Sequence, residues 1–545
     1  MPSSFIFVIG GVLSGLGKGI TTASMGKLLQ SRGFSVTAIK IDPYLNVDAG
    51  TLRPTEHGEV WVTEDGGEID QDLGNYERFL DVNIPKCQNI TTGQIYEMVI
   101  KRERKGEYLG KTVEMIPHVT DEVKRRIRKV ADDTKVNVVL VEIGGTVGEY
   151  QNIIYFEAAR QMKLDGDNVL FVHVSYLPIL RNVGEQKTKP VQTSTRQLLE
   201  IGIQPDFIIG RSEVRVDNVR KEKIAMFCNV KKEDVISNHD VDCIYEVPLV
   251  LEEQNMGDRM LEKLGLKARK NDMTEWREFV RKVKGLEKKL KVGIVGKYFD
   301  IGDFNLQDSY ISVIEAVKHA CFNNNVKSDI LWIDSKEFED SSQRLSFLDD
   351  VDCLIVPGGF GKSGIEGKIL SIKYAREKKI PFLGLCLGMQ LAVIEFARNI
   401  CNLNGADSTE FNPDTEYPVI DFIPEQASII KDSRYGGTMR LGSYPALLKE
   451  GTIVKSLYGS ENIFERHRHR YEVNPDYIEA LEKNGLVFSG ISPNGILMEF
   501  LELENHPFFV ATQSHPEFKS RPTKPSPMFD GLVKAALKKK KVGQA

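Results

Sequence analysis

At 545 residues the chain is too long for one hydrophobic core, and two large domains are expected. Its 41% hydrophobic and 27% charged content is ordinary for a soluble globular protein, and a net charge of −5 gives no global basis for binding nucleic acid. Cys87, Cys228, Cys243, Cys321, Cys353, Cys386 and Cys401 are scattered without a C-x-x-C pair, which argues against a disulfide framework and a structural zinc site and fits a reducing cytoplasm.

Met1-Pro2-Ser3-Ser4 shows neither a basic n-region nor an apolar h-region, so no secretory leader is expected. No apolar run reaches the roughly 18 residues that a membrane helix needs. Phe5-Ile6-Phe7-Val8-Ile9-Gly10 is a continuous apolar run ending in glycine, the pattern of a buried parallel strand. The glycine-rich stretch Gly11-Val12-Leu13-Ser14-Gly15-Leu16-Gly17-Lys18-Gly19 follows, and a helix is predicted over 20–32. Strand, glycine loop, lysine and helix make a phosphate cradle. Small residues admit an anion to backbone N–H groups, and the helix N-terminus and Lys18 supply positive charge. The fit to G-x-x-x-x-G-K-[ST] is incomplete: Gly11 stands one position early, and Gly19 replaces the hydroxyl that would face magnesium. Carboxylates elsewhere must then hold the metal.

A second strand is predicted over 36–41, with Lys40 and Asp42 at its end. The polar segment 42–74 carries many acids, and its interleaved Val60, Trp61, Val62, Ile69 and Leu73 predict an ordered loop. Composition does not single out one acid there as a metal ligand. A strand over 136–141 runs into Glu142-Ile143-Gly144-Gly145-Thr146-Val147-Gly148-Glu149. Glu142, at the carboxyl end of a parallel strand, faces the crevice where α/β sheets bind ligands and is the better metal candidate. After a strand over 169–174, Lys187-Thr188-Lys189-Pro190-Val191-Gln192 offers a second phosphate grip. A strand over 207–211 and a short helix over 221–227, carrying Lys223, complete an alternation that implies a doubly wound sheet.

Ser14-Gly15-Leu16-Gly17-Lys18-Gly19, Lys40-Ile41-Asp42-Pro43-Tyr44, Glu56-His57-Gly58-Glu59-Val60, Glu142-Ile143-Gly144-Gly145-Thr146-Val147-Gly148 and Lys187-Thr188-Lys189-Pro190 resemble the amidoligase domain of the CTP synthase family, over about residues 3 to 265. The resemblance implies ATP against Gly15, Leu16, Gly17, Lys18, Gly19, Ile20 and Lys40, with Arg211 and Asp240 near its adenosine. It implies UTP, or the feedback inhibitor CTP, against Ser14, Glu149, Gln151, Lys187, Thr188, Lys189, Gln192 and Lys223. Asp72 and Glu142 would hold Mg2+, and His57 would sit where ammonia enters. The chain departs from the family at Gln151, neutral where an acid is common, so altered CTP inhibition is expected.

Residues 262–291 are rich in Lys, Arg and Glu, with Trp276, Phe279 and Val283 at helical spacing, and predict one amphipathic linker helix. A new sheet opens at Val292-Gly293-Ile294-Val295-Gly296. The strand Cys353-Leu354-Ile355-Val356 ends in Pro357-Gly358-Gly359-Phe360-Gly361, glycines that can aim N–H groups at an oxyanion. Gly384-Leu385-Cys386-Leu387-Gly388 places a cysteine on an exposed strand-to-helix elbow, beside a helix N-terminus that favours thiolate. The strand 508–512 leads into Gln513-Ser514-His515-Pro516-Glu517. In extended chain His515 and Glu517 share one face, a base held in one tautomer by a carboxylate.

Pro-Gly-Gly-Phe-Gly, Gly-Leu-Cys-Leu-Gly-Met-Gln and His-Pro-Glu, in that order, resemble the class I glutamine amidotransferase domain over about 291 to 535. This implies Cys386 as nucleophile, His515 as proton shuttle, Glu517 as its support, the amides of Gly359 and Leu387 as oxyanion donors, and Gln390, Glu410 and Arg470 as the glutamine site. The run Glu465-Arg466-His467-Arg468-His469-Arg470-Tyr471 reads as a substrate wall rather than a nucleic-acid patch. Ser363 stands where the family carries an arginine tied to activation by GTP, and the adjacent Lys362 lacks that planar fork.

The expectation is α/β, two doubly wound domains, each a mainly parallel sheet flanked by helices. Residues 1–265 form an amidoligase domain, 266–290 a helical linker, 291–535 the amidotransferase domain and 536–545 a basic disordered tail. The expected reaction is ATP-dependent amination of UTP to CTP with glutamine-derived ammonia, by a cytoplasmic homotetramer able to form filaments, with GTP as activator. Neither nucleic acid nor membrane is an expected partner. The alternatives are another glutamine-dependent P-loop ligase of the cobyrinate amidase type, or a nucleotide-sensing filament scaffold.

Overall fold

The computed structural model describes residues 2–53, 57–180, 184–296, 300–301, 304–305, 307–340, 342–359, 361–422 and 439–543. Glu56, Phe360 and the last two residues of the tail lie outside the described residues. The chain divides into two compact units, Met1–Ala49 with Ile69–Val280 and Gly50–Glu68 with Arg281–Ala545.

The first unit is built on a seven-stranded sheet. Its strands in chain order are β1 (Ser4–Gly10), β2 (Val36–Asp42), β3 (Asn89–Thr91), β4 (Val138–Ile143), β5 (Asn168–Tyr176), β6 (Phe207–Ser212) and β7 (Val235–His239). Their order across the sheet is β7-β6-β5-β1-β4-β2-β3, and every pairing is parallel. β1, β2 and β4 are buried at every position, which is why they read as unbroken apolar runs. Phe7, Ile39 and Val141 share a core with Ile127 and Phe156 from the flanking helices. Helices α1 (Lys18–Ser31) and α2 (Asp72–Leu80) bring Lys18 and Asp72 to the carboxyl ends of the strands, and α3 (Lys189–Glu200) and α4 (Asn218–Cys228) follow.

The linker is not one continuous helix. Met256–Leu264 is helical, and α5 (Thr274–Lys284) forms after a break at Gly265, whose φ is +66°. The apolar face of α5 packs at home: Trp276 lies against Phe79, Tyr245 and Phe279, and its indole N–H donates to the Tyr245 carbonyl at 2.9 Å.

The second unit holds a nine-stranded sheet. Its strands are β8 (Lys289–Gly296), β9 (Lys327–Asp334), β10 (Cys353–Val356), β11 (Phe382–Leu385), β12 (Arg440–Leu448), β13 (Asn462–His469), β14 (Val487–Ile491), β15 (Met498–Glu502) and β16 (Phe509–Thr512). The order is β9-β8-β10-β11-β16-β15-β14-β12-β13. The half from β9 to β16 is parallel and carries helices α6 (Ile365–Glu377) and α7 (Leu387–Asn399). The other half is an antiparallel extension.

Two further segments depart from the sequence expectation. Residues 536–543 are not disordered but end helix α8 (Pro527–Gly543), whose Phe529, Leu532, Val533 and Ala536 are buried. Lysine is a good helix former, and its charge suits a helix C-terminus. Residues 50–68, expected in the amidoligase domain, pack instead as part of the second unit. Arg466 and Arg468, alternate residues of β13, hold them. Arg466 Nε donates to Glu64 at 2.9 Å and its Nη1 to the Val62 carbonyl at 3.0 Å; Arg468 Nε donates to Glu68 at 2.8 Å.

Candidate functional site

In the first unit the chemistry gathers where β1, β2 and β4 end. Gly15 and Gly17 take φ of +72° and +73°, left-handed values that the turn into α1 requires. The Lys18 ammonium donates to the Gly145 carbonyl at 2.7 Å, and a Cβ on Gly10 would lie 2.6 Å from its Nζ. Burial pushes the Lys18 pKa down, against the pull of Glu142 and Asp72.

Lys40, from β2, bridges two carboxylates: it donates to Glu142 at 2.9 Å and to Asp72 in a shorter contact, with Asp70 at 3.8 Å. Burial opposes its charge, but Asp72 and Glu142 outweigh burial and hold Lys40 well above its ordinary value. The Tyr76 hydroxyl donates to the other Glu142 oxygen. Asp72 occupies the space that a side chain at residue 19 would need, since a Cβ on Gly19 would lie 2.2 Å from its Oδ1. The carboxylate thus takes the room of the hydroxyl missing from the loop.

The other residues expected around nucleotides spread outward from this cluster. Arg211 pairs with Asp240 at 2.7 Å and donates to the Asn238 carbonyl at 3.0 Å. Glu149 accepts from the Thr146 amide at 2.9 Å, and Gln151 Nε2 donates to Glu149 at 3.0 Å. Lys187 pairs with Glu185 at 2.9 Å, Gln192 donates to the Thr188 hydroxyl at 3.0 Å, and Lys189 opens α3. Leu16 is buried, while Ser14 and Lys223 are exposed.

In the second unit a cavity of ≈ 340 Å³ is lined by Gly359, Cys386, Arg470, His515 and Glu517, and on another side by Leu52, Arg53 and Glu59. Cys386 sits between β11 and α7 with φ +50° and ψ −102°, a strained conformation for a residue with a Cβ. The flanking glycines permit the elbow: a Cβ on Gly388 would lie 2.1 Å from the Val356 carbonyl, and one on Gly384 2.8 Å from Gly388. The thiol is not exposed as expected but only 4% accessible. His515 Nδ1 bonds Glu517 at 2.7 Å. That pairing does not come from extended chain: Pro516–Lys519 is a 3-10 turn, begun by proline, which folds the carboxylate back onto the ring. Burial works against a charged His515, but Glu517 and the hydrogen-bonded Cys386 outweigh it and raise its pKa to about 10.

Gln390 and Glu410 do not line the cavity. Gln390 is buried and donates to the Tyr471 carbonyl at 3.0 Å; Glu410 accepts from the Gly361 amide at 3.0 Å. His57 is exposed within the 50–68 segment. The amide of Leu387 is at the first position of α7, where no intrahelical acceptor exists.

The sequence compares closely with characterised families. Residues 4–266 match the model for the CTP synthase N-terminus, and 305–535 match that for class I glutamine amidotransferases. A CTP synthase of Thermococcus gammatolerans is 56% identical over 541 residues, 99% of each chain, and one of Methanocaldococcus jannaschii is 55% identical over 543 residues, 98% of this chain and 99% of its own. The chain belongs to the CTP synthase family. A solved structure titled as the glutaminase domain of Trypanosoma brucei CTPS with bound acivicin is 35% identical, covering 46% of this chain and 94% of its own, with a TM-score of 0.42.

The family resemblance points to Lys18, Asp72, Glu142, Cys386, His515 and Glu517, but four residues packed around them carry no assigned role in it. Tyr76 is one helical turn beyond Asp72 and meets Glu142 only through tertiary packing. Arg466 and Arg468 belong to the run expected to form a substrate wall, and their alternation in a strand is the available signal for partners on one face. Gln513, two residues before His515, carried no assigned role.

Proposed function

We propose that this chain makes CTP from UTP, ATP and glutamine as a carbon–nitrogen ligase with glutamine as nitrogen donor. One observation supports this above others: a single chain carries both an assembled Cys386-His515-Glu517 set and a Lys18-Lys40-Asp72-Glu142 cluster at a glycine loop.

In the glutaminase, the Cys386 thiolate attacks the carboxamide carbon of glutamine. The new oxyanion takes N–H donors from Gly359 and Leu387, one such donor contributing about 3–4 kcal/mol. His515, protonated and held by Glu517, gives its proton to the leaving nitrogen, and ammonia departs as the thioester forms. His515 then takes a proton from water, which attacks the thioester and releases glutamate and the thiolate. Arg470 supplies a planar fork for the α-carboxylate of glutamine, while Gln390 and Glu410 support that site from outside the cavity.

In the synthetase, the 4-oxygen of UTP attacks the γ-phosphorus of ATP and expels ADP. Ammonia then adds to carbon 4 and phosphate leaves, giving CTP. Lys18 and the loop amides hold ATP phosphates, and Lys187, Lys189 and Lys223 neutralise those of UTP. Asp72 and Glu142 would hold magnesium: their carboxylates converge on the Lys40 ammonium, and anionic oxygen donors suit that hard cation. When bound there, magnesium would neutralise charge on the transferred phosphoryl group.

The finer reading is a homotetramer in the cytoplasm, capable of filaments, inhibited by CTP and weakly activated by GTP. Exposed Leu109, Ile116 and Tyr150 support self-association, and exposed Lys362 and Ser363 offer GTP no arginine fork. Among the described residues no helix is long and apolar enough to cross a membrane. The deciding experiment mixes protein with UTP, ATP, Mg2+ and glutamine. CTP formation is expected; its absence with either glutamine or ammonium overturns the proposal. Repeating the assay with GTP or CTP, and light scattering, tests regulation and assembly.

A further inference from the structure

Gln513 is fully buried and directly follows β16, two residues before His515. Its Nε2 donates to the Cys386 sulfur at 3.6 Å, within range for a bond to sulfur. Its orientation is fixed by a short relay. The Tyr471 carbonyl can only accept, so the Gln390 amide must turn its nitrogen toward it, at 3.0 Å. The same nitrogen donates its second hydrogen to Gln513 Oε1 at 3.3 Å. With that oxygen engaged, the Gln513 nitrogen is left facing sulfur. The backbone completes the hold, with the Gln513 amide donating to the Glu499 carbonyl at 2.9 Å.

Besides the charged His515, the sulfur has another neighbour, with the opposite effect. The Arg468 carbonyl, 3.7 Å away, accepts from a thiol but repels a thiolate. Gln513 is a neutral donor that helps offset it, beside the charged His515, which Glu517 holds, and the N-terminus of α7, because a donor aimed at sulfur is worth more once the sulfur is charged.

We infer that Gln513 is a further catalytic residue of the glutaminase, donating to the Cys386 thiolate, and that Gln390 acts through it as a positioning residue. This rests on Cys386 being the nucleophile. It also gives Gln390 a role other than direct contact with glutamine. No proton is transferred: the Gln513 N–H remains on nitrogen while the sulfur charge is created by attack-ready deprotonation and consumed when the S–C bond forms.

The test is the pH dependence of Cys386 alkylation by iodoacetamide on the full-length protein, followed by mass spectrometry of the peptide carrying residue 386. Gln513→Leu is expected to move the midpoint up by about one pH unit, so that alkylation below the midpoint slows about tenfold. Gln390→Leu should move it in the same direction by less, because the Gln513 amide remains but can turn. Thermal unfolding midpoints check that each variant is folded, and Gln513→Asn, which keeps an amide but withdraws it, replaces the leucine variant if that one does not fold. An unchanged alkylation profile in folded Gln513 variants overturns the inference. If Cys386→Ala retains glutamine hydrolysis, the nucleophile assignment itself fails, a result distinct from an unmoved profile.

Discussion

Asp72 stands where a side chain on residue 19 would have to go: a Cβ added to Gly19 would lie 2.2 Å from the Asp72 Oδ1 and 2.7 Å from its carboxyl carbon. The loop's lack of a hydroxyl and the presence of this carboxylate are one feature. Gly19→Ala is therefore expected to displace Asp72, and a displacement near 1 Å costs about 10²-fold in rate. Ammonium-dependent CTP formation should fall by that order while glutamine hydrolysis persists. Wild-type CTP formation by Gly19→Ala would show that Asp72 has no fixed part in the synthetase.

Cys386→Ala should remove glutamine-dependent CTP formation by about 10⁴-fold or more and leave formation from ammonium in place. Parallel assays with the two nitrogen sources decide it. Loss of both activities would contradict two separable chemistries.

The His515 pKa, about 10, lies above the ordinary 6.5, so its pairing with Glu517 adds stability that is full below about pH 6.5 and lost as pH rises through about 10. The glutaminase needs the same proton for its leaving group, so its rate should decline along an alkaline limb near pH 10. Glu517→Gln removes the charge that raises the pKa, and the limb should move down by about one to three pH units. A pH profile of glutamate release measures it; an unmoved limb would separate Glu517 from His515.

Arg466 is fully buried and donates both to Glu64 and to the Val62 carbonyl. Arg466→Met should cost about 2–3 kcal/mol, seen as a lower urea midpoint at unchanged slope. Burial alone would raise the Glu64 pKa, but Arg466 and Lys519 hold it below 4.5. The contribution is thus present at neutral pH and is lost in acid, so wild type and variant should converge in stability at low pH.

Much of this was legible in the residues. Every strand of the first sheet that was expected forms within a few positions of its apolar run, because strands buried on both faces cannot hide their composition. The elbow was legible because Gly384 and Gly388 have no substitute at their contacts. What sequence spacing misplaced was the geometry joining His515 to Glu517, since two residues apart on a strand and two apart in a 3-10 turn look alike in one dimension. The antiparallel half of the second sheet was missed for another reason: β12 and β13 mix buried with partly buried positions and carry Arg, Glu and His inward, where Arg440 pairs with Glu472 and Glu499. The tail's lysines outweighed its apolar stripe by composition, though not in packing.

Residues 50–68 carry a consequence for how such a protein can be dissected. They lie inside the stretch that matches the CTP synthase N-terminus, yet they supply Gly50, Leu52, Arg53, Glu59 and Val60 to the wall around Cys386. A fragment starting at residue 281 would keep Cys386, His515 and Glu517, but would have one side of the cavity around them missing and Arg466 and Arg468 stripped of Glu64 and Glu68. The boundary visible in the gene is therefore not the boundary of the glutaminase as a working object. Kinetics measured on an excised half would describe an open-sided chamber that the intact chain does not possess.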